Sequence, residues 1–262
     1  MLGDCAAAML ETRDLSVRFG GHVAVNAVSC RFEPGTLTAI VGPNGAGKTT
    51  YFNLISGQLK ASAGAVFLNG QDLSKLSASA RTRAGLGRAF QLTNLFPSLS
   101  VLENVRLAVQ ATRDGPHRRG LNLWSIWSDH QALTQRAHEI LLAVSMADRQ
   151  HMPVASLPHG DQRKLEVALL MALDPRVYMF DEPTAGMSVD EAPVILNLIR
   201  RLKEDKSKTI LLVEHKMDVV RELADRIIVL NNGALVADGE PAQVIASPVV
   251  QEVYLGVLRE AA

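Results

Sequence analysis

The sequence predicts an α/β fold: a phosphate-loop core on a parallel sheet, an antiparallel β subdomain near the N-terminus and an inserted α-helical subdomain. Three observations carry this. The apolar run Leu37 to Val41 enters a glycine-rich turn that is followed by a helical pattern. A second apolar run, Val177 to Phe180, ends in two acids. Between them, roughly from Leu76 to Leu157, apolar residues recur at three- to four-residue spacing, as on helices.

Taken in order, Val17-Arg18-Phe19 and Ala24-Val25 are short strand candidates, Val28 to Phe32 alternates, and Glu33-Pro34-Gly35 turns the chain. Leu37 to Val41 is the strand before the glycine-rich turn, and Tyr51-Phe52-Asn53-Leu54-Ile55 has helical spacing. Ala65 to Leu68 is a strand, and Asn69-Gly70 has hairpin-turn chemistry. Val101-Leu102, Val105 and Ala108-Val109 fall on one helical face, as do Ala137, Ile140-Leu141 and Val144. Between them the polar stretch Thr112 to His130, with Arg113, His117, Arg118, Arg119, Trp124 and Trp127, reads as an inserted loop. Arg176 to Phe180 is a buried strand, and Asp190 to Lys203 is an amphipathic helix with Ile195, Leu198, Ile199 and Leu202 on one face. Thr209 to Val213 is a strand and Met217 to Ala224 a helix. Arg226 to Leu230 and Ala234 to Ala237 form a hairpin about Asn231-Asn232-Gly233. The domain expectation is a tail over 1–9, a core over 10–92 and 158–262, and a helical subdomain over 93–157 that carries the insert 112–130. No internal repeat is visible, so one nucleotide-binding unit is expected.

The 262 residues suit one large α/β domain or a domain with a subdomain. Lysine plus arginine equals aspartate plus glutamate, at 27 each, so no basic excess argues for nucleic-acid binding. Cys5 and Cys30 lie far apart with no C-x-x-C, which fits reduced thiols better than a disulfide or zinc scaffold. No apolar run approaches the ~18–20 residues that span a bilayer, and the first ten residues lack the basic region of a signal peptide. The expectation is a chain that serves a membrane, if at all, from its surface through partners.

Gly42-Pro43-Asn44-Gly45-Ala46-Gly47-Lys48-Thr49-Thr50 fits G-x-x-x-x-G-K-[ST] and stands between strand and helix, where a phosphate-binding loop must stand. The glycines let the backbone approach a phosphate, and the helix N-terminus faces the anion. Lys48 supplies charge to the β- and γ-phosphates, and the Thr49 hydroxyl is the expected Mg²⁺ ligand. A glycine-rich turn with a chance lysine is the plainer alternative, and the full motif in this context disfavours it.

Asp181 and Glu182 end the strand Val177 to Phe180. A parallel strand buried on both faces would deliver Asp181 beside the phosphate loop, to hold Mg²⁺ through water, and set Glu182 to orient or deprotonate the attacking water. Without the upstream loop, a strand capped by solvated acids would be an equal reading.

Between the two motifs stands Leu157-Pro158-His159-Gly160-Asp161-Gln162-Arg163-Lys164-Leu165-Glu166. The order of phosphate loop, Gln91, this loose signature, Asp181-Glu182 and His215 resembles the ATP-binding subunits of ABC transporters over nearly the whole chain. The resemblance implies ATP and Mg²⁺ as cofactors and two such domains paired head to tail, each signature helix facing the partner's ATP. It implies that Phe19 stacks on adenine, that Gln91 senses Mg²⁺ and the attacking water, and that His215 contacts the γ-phosphate and supports Glu182. Two departures stand out. The usual Leu-Ser-Gly-Gly-Gln is replaced by Leu157-Pro158-His159-Gly160-Asp161, which lacks the hydroxyl and adds a negative charge. Ser188 stands near the place of an aspartate that usually crosses the dimer.

Local phrases narrow the resemblance. Arg18-Phe19-Gly20-Gly21, Gly87-Arg88-Ala89-Phe90-Gln91, Leu95-Phe96-Pro97-Ser98-Leu99-Ser100-Val101-Leu102-Glu103-Asn104-Val105 and Tyr254-Leu255-Gly256 are similar to the branched-chain amino-acid importer ATPases, closest to the larger of the two subunits. This implies a peripheral subunit on the cytoplasmic face of the inner membrane. It would work with two permease subunits and a second ATPase or a second copy of itself, paired in an ATP-dependent way, and indirectly with a periplasmic binding protein. Importers of urea and short amides share nearly the same ATPase pattern. A soluble ABC ATPase acting on DNA or ribosomes would bring two nucleotide units, coiled coils or zinc ligands. A GTPase would bring Asn-Lys-x-Asp. Neither pattern is found in the sequence.

Overall fold

The computed structural model describes residues 9–89, 95–113 and 125–260, the side chains of 113, 125–130 and 255–260 excepted. The chain falls into two compact units by packing: residues 1–87, 176–182 and 202–262 form the first, and 88–175 and 183–201 the second.

The first unit holds both sheets. An antiparallel sheet has the order β2-β1-β4-β5, from β1 (Leu10–Phe19), β2 (His22–Phe32), β4 (Ala63–Leu68) and β5 (Gln71–Asp72). Sequence patterning suggested short segments here, whereas β1 and β2 form one long hairpin. Register shifts interrupt the pairing between Thr12 and Arg18, and Asp14 and Ala27 have positive φ. Bulges of this kind break the period-2 alternation that reveals a strand in sequence. The turn at Asn69-Gly70 is as expected, both residues having positive φ.

The second sheet has six strands in the order β10-β9-β3-β8-β7-β6: β10 (Ala234–Gly239), β9 (Arg226–Asn231), β3 (Leu37–Val41), β8 (Thr209–Val213), β7 (Val177–Asp181) and β6 (Leu86–Arg88). Its centre is parallel, β3 pairing with β9 and β8, and β8 with β7. Alternate residues of these strands enter two cores. Ile40, Ile228 and Leu230 pack with Leu10, Phe32 and Val66 of the antiparallel sheet and with Tyr51, Phe52 and Ile55 of α1 (Lys48–Ser56). Ala39, Val41, Ile227 and Val229 face Val220 of α7 (Met217–Leu223), Val244 of α8 (Pro241–Ala246) and Val250 of α9 (Pro248–Glu260). Burial on both faces explains why these strands read as unbroken apolar runs. Polar atoms inside the first core are paired: the Thr12 and Tyr51 hydroxyls lie 2.7 Å apart, and the Cys30 N–H donates to Thr12 Oγ1. The Cys30 thiol is buried there. Arg81, on α2 (Ala78–Arg83), donates to the carbonyls of Leu54 and Ile55 and so caps the C-terminal end of α1.

The second unit is helical. α3 (Val101–Arg113) packs on α4 (Ser125–Ala143) and α5 (His159–Leu173). The expected faces point inward: Val101, Val105, Ala137, Ile140, Leu141 and Val144 are all buried. The expected boundaries differ from the packing. The expectation gave 158–175 and 183–201 to the core, whereas they cluster with the helices, because α5 makes its helix contacts with α3 and α4. Part of the expected insert 112–130 is helical, since α3 runs to Arg113 and α4 begins at Ser125. His117, Arg118, Arg119 and Trp124 lie outside the described residues. α6 (Ala192–Glu204) buries Ile195, Leu198 and Ile199, the face expected of it.

Candidate functional site: a phosphate loop beside an acid–histidine pair

Sheet register assembles the site. Val213 of β8 pairs with Ile40 of β3 on one side and with Asp181 of β7 on the other. Three neighbouring parallel strands therefore end at one level, and the chain leaves them as the phosphate loop, as Glu182 and as Glu214-His215. Ligands in parallel α/β sheets bind at this carboxyl edge.

The loop backbone is shaped by two glycines. A Cβ on Gly42 would stand 2.1 Å from the Leu230 carbonyl oxygen, at φ 149°. On Gly47 it would stand 2.4 Å from the Ala24 carbonyl oxygen, at φ 95°. Gly47 is the N-cap of α1 and has no side-chain cap, which leaves the first peptide groups of the helix available to an anion. Further bonds pin the loop: Gly233 N–H donates to the Ala46 carbonyl, and Ala46 N–H to that of Pro43.

Lys48 folds over this loop. Its Nζ donates to the carbonyls of Gly42 at 2.7 Å and Pro43 at 2.9 Å. Burial lowers its pKa, and the nearby Glu182 and Asp181 carboxylates offset part of that shift. Both carboxylates are thus within electrostatic reach of the lysine.

Glu182 has a left-handed backbone, φ 50°, and its N–H donates to the Val213 carbonyl at 2.9 Å. Its Oε1 lies 2.6 Å from His215 Nε2. Glu214, between β8 and His215, is buried, and its Oε2 accepts the N–H groups of His215 and Lys216. Glu214 belongs to none of the motifs that mark the site in the sequence. The visible signal is an acid at a strand end, immediately before the histidine.

A cleft of about 420 Å³ collects these groups. Phe19, His22, Asn44, Gly45, Ala46, Gly47, Lys48, Thr49, Thr50, Glu182 and His215 line it. Phe19 is 52% exposed, so it is no core aromatic. His22, unremarked in the sequence, enters because the β1–β2 hairpin turn places it beside Phe19. Thr49 is exposed and Asp181 half-buried at the end of β7. A hydroxyl and a carboxylate are the hard oxygen donors that Mg²⁺ takes. Gln91, the third expected ligand, lies outside the described residues.

The loose signature belongs to the other unit. Pro158 is the N-cap of α5 in an extended conformation, so its missing N–H costs no helical hydrogen bond. His159 is exposed and Gly160 buried. Asp161, expected to add a negative charge here, is 2% exposed and ion-paired with Arg149 and Lys164.

The ABC transporter family model matches residues 25–185. The high-affinity branched-chain amino acid transport ATP-binding protein BraF of Pseudomonas aeruginosa is 36% identical, over 95% of this chain and 98% of that protein. LivG of Escherichia coli K12, described in the same terms, is also 36% identical over 95% and 98%. A probable LivG from Archaeoglobus fulgidus is 32% identical over 95% of each chain. Among solved structures, the ADP conformation of an ATP-binding cassette of an ABC transporter superposes with a TM-score of 0.77 at 28% identity, covering 95% of this chain and 99% of that one. A nucleotide-free cassette gives 0.77 at 27%, covering 94% and 98%. With the family model spanning both the loop and the acid pair, and relatives aligned from end to end, the chain belongs to the ABC transporter family, as one of its ATP-binding cassettes.

Proposed function

We propose that this chain is the ATP-hydrolysing, energy-coupling subunit of an importer for branched-chain amino acids. The observation that carries the proposal is the 2.6 Å Glu182–His215 pair at the sheet edge that carries the phosphate loop. The full-length similarity to branched-chain amino acid transport ATP-binding proteins supplies the substrate class.

The triphosphate lies against Gly42 to Thr50, and Phe19 receives adenine at the cleft mouth. Lys48 exchanges its carbonyl partners for the β- and γ-phosphates, and gains by it, since a buried ammonium prefers a full counter-charge. Thr49, Asp181 and Gln91 would hold Mg²⁺, which supplies charge neutralisation at the phosphates. Glu182 takes the proton of the attacking water, and His215 fixes the carboxylate that must receive it. Pro158, His159, Gly160 and Asp161, at the start of α5, face the ATP of a partner cassette. That partner is a second ATPase or a second copy of this chain, and both engage two permease subunits at the cytoplasmic face of the inner membrane, with a periplasmic binding protein delivering the solute. No helix among the described residues is long and apolar enough to cross a membrane, in keeping with a peripheral subunit.

The test is to tag the chain in its native cell, purify it in mild detergent and identify its companions. Two multi-pass membrane proteins are expected, and their binding protein should bind leucine, isoleucine or valine. A binding protein that takes urea or short amides would reassign the solute. Recovery with ribosomes or DNA, and no membrane protein, would overturn the transport reading.

A further inference from the structure

Asp161 sits in the first turn of α5, where the proposed function brings a triphosphate. A free carboxylate there would repel it. The carboxylate is instead closed inside an ion chain within the second unit. Arg149, on the 3-10 turn Ala147–Arg149, pairs with Asp161 Oδ2, and Lys164 Nζ approaches Asp161 Oδ1 at 3.2 Å. Lys164 also lies 3.6 Å from Glu191 Oε1. Glu191 Oε2 accepts the N–H and hydroxyl of Ser188, while Ser188 Oγ accepts the Glu191 N–H, a reciprocal cap. The Glu191 carboxylate also fills the space where a Cβ on Gly160 would stand, 2.4 Å from Oε1.

Two cations, Arg149 and Lys164, face the carboxylates of Asp161 and Glu191, and the exposed Asp148 carboxylate lies 3.7 Å from Arg149 Nε. The middle of the ion chain is covered, Asp161 being 2% and Lys164 9% exposed, while Arg149 and Glu191 are half-buried. Asp161 is itself favourable at a helix N-terminus when paired, and repulsive to a second anion when not. The segment Ser188 to Glu191 follows the acid pair in sequence, so the ion chain ties that segment to the first turn of α5.

We infer that Arg149 and Lys164 are positioning residues for the ATP reaction: they cancel the charge of Asp161 and hold the first turn of α5 in the form that a partner's triphosphate meets. The inference rests on the proposed function, because it assumes that α5 faces a nucleotide.

The test is ATP turnover by the assembled transporter, with equilibrium binding of a fluorescent ATP analogue to the isolated chain measured in parallel. Arg149→Gln leaves Asp161 with only Lys164, which Glu191 shares, so KM for ATP should rise about tenfold, while analogue binding at the isolated chain's own phosphate loop stays as in wild type. Adding Asp161→Asn to Arg149→Gln removes the carboxylate charge and should restore KM to within about twofold. A wild-type KM in Arg149→Gln, or a double variant no better than the single, would overturn the inference. Circular dichroism of Arg149→Gln separates a misfolded chain, which would also lose analogue binding. Wild-type protein that neither binds the analogue nor turns over ATP would overturn the proposed function, and this inference with it.

Discussion

At Glu182 the backbone and the side chain are set by different neighbours. The left-handed φ of 50° costs a glutamate on the order of 1 kcal/mol, and the bond from its N–H to Val213 holds it there. His215 then fixes the carboxylate. Glu182→Gln keeps this geometry and loses the base. ATP binding should be retained and turnover should fall about 10²–10⁴-fold, measured by phosphate release. Lys48 gives a pH prediction. Burial lowers its pKa in the free chain, and bound phosphates favour the ammonium and raise it again. Above the lowered value, binding must take up a proton. ATP affinity should therefore fall as pH rises toward the ordinary lysine range, by up to about tenfold per pH unit. Calorimetry in two buffers of different ionisation heat should show more proton uptake at the alkaline end than near neutrality. Lys48, Asp181 and Glu182 were legible in the sequence because each belongs to a contiguous motif whose spacing carries its chemistry. The pairing of Asp161 with Arg149 was not, because Arg149 stands on a separate turn and nothing in the spacing brings the two together.

The strand–loop–helix element from Leu37 to Ser56 depends on conformations that a side chain disturbs. Gly42→Ala sets a methyl against the Leu230 carbonyl at a positive φ. It should destabilise the chain by about 3 kcal/mol, read as a lower urea midpoint at unchanged slope. The other end of α1 depends on Arg81, whose guanidinium reaches the carbonyls of Leu54, Ile55, Leu76 and Ser74. Arg81→Leu should cost about 3 kcal/mol, and Arg81→Lys should recover less than half of it, since one ammonium cannot span that fork. Strands buried on both faces, such as β3, β7 and β8, announce themselves as apolar runs. The β1–β2 hairpin did not, because its register shifts scatter the alternation over what look like separate fragments. α5 was expected as a helix from the resemblance alone, its packing against α3 and α4 was not expected, and the domain boundary moved accordingly.

Over the whole molecule, the proposed function requires pairing with a second cassette. Glu182→Gln protein mixed with its companion ATPase should shift to a dimer on adding ATP and Mg²⁺, and return to monomers on adding ADP, as read by light scattering. Unshifted mass in ATP would argue against head-to-tail pairing. The buried Cys30 has a practical consequence for following that step. Burial raises its thiol pKa, so at neutral pH it stays protonated and covered, a poor target for maleimides and nitroxide reagents. With Cys5 replaced by serine, a cysteine engineered on the exposed Leu142 or Val189 would take a single probe without disturbing the inner thiol. Distance spectroscopy could then watch the cassettes close during transport.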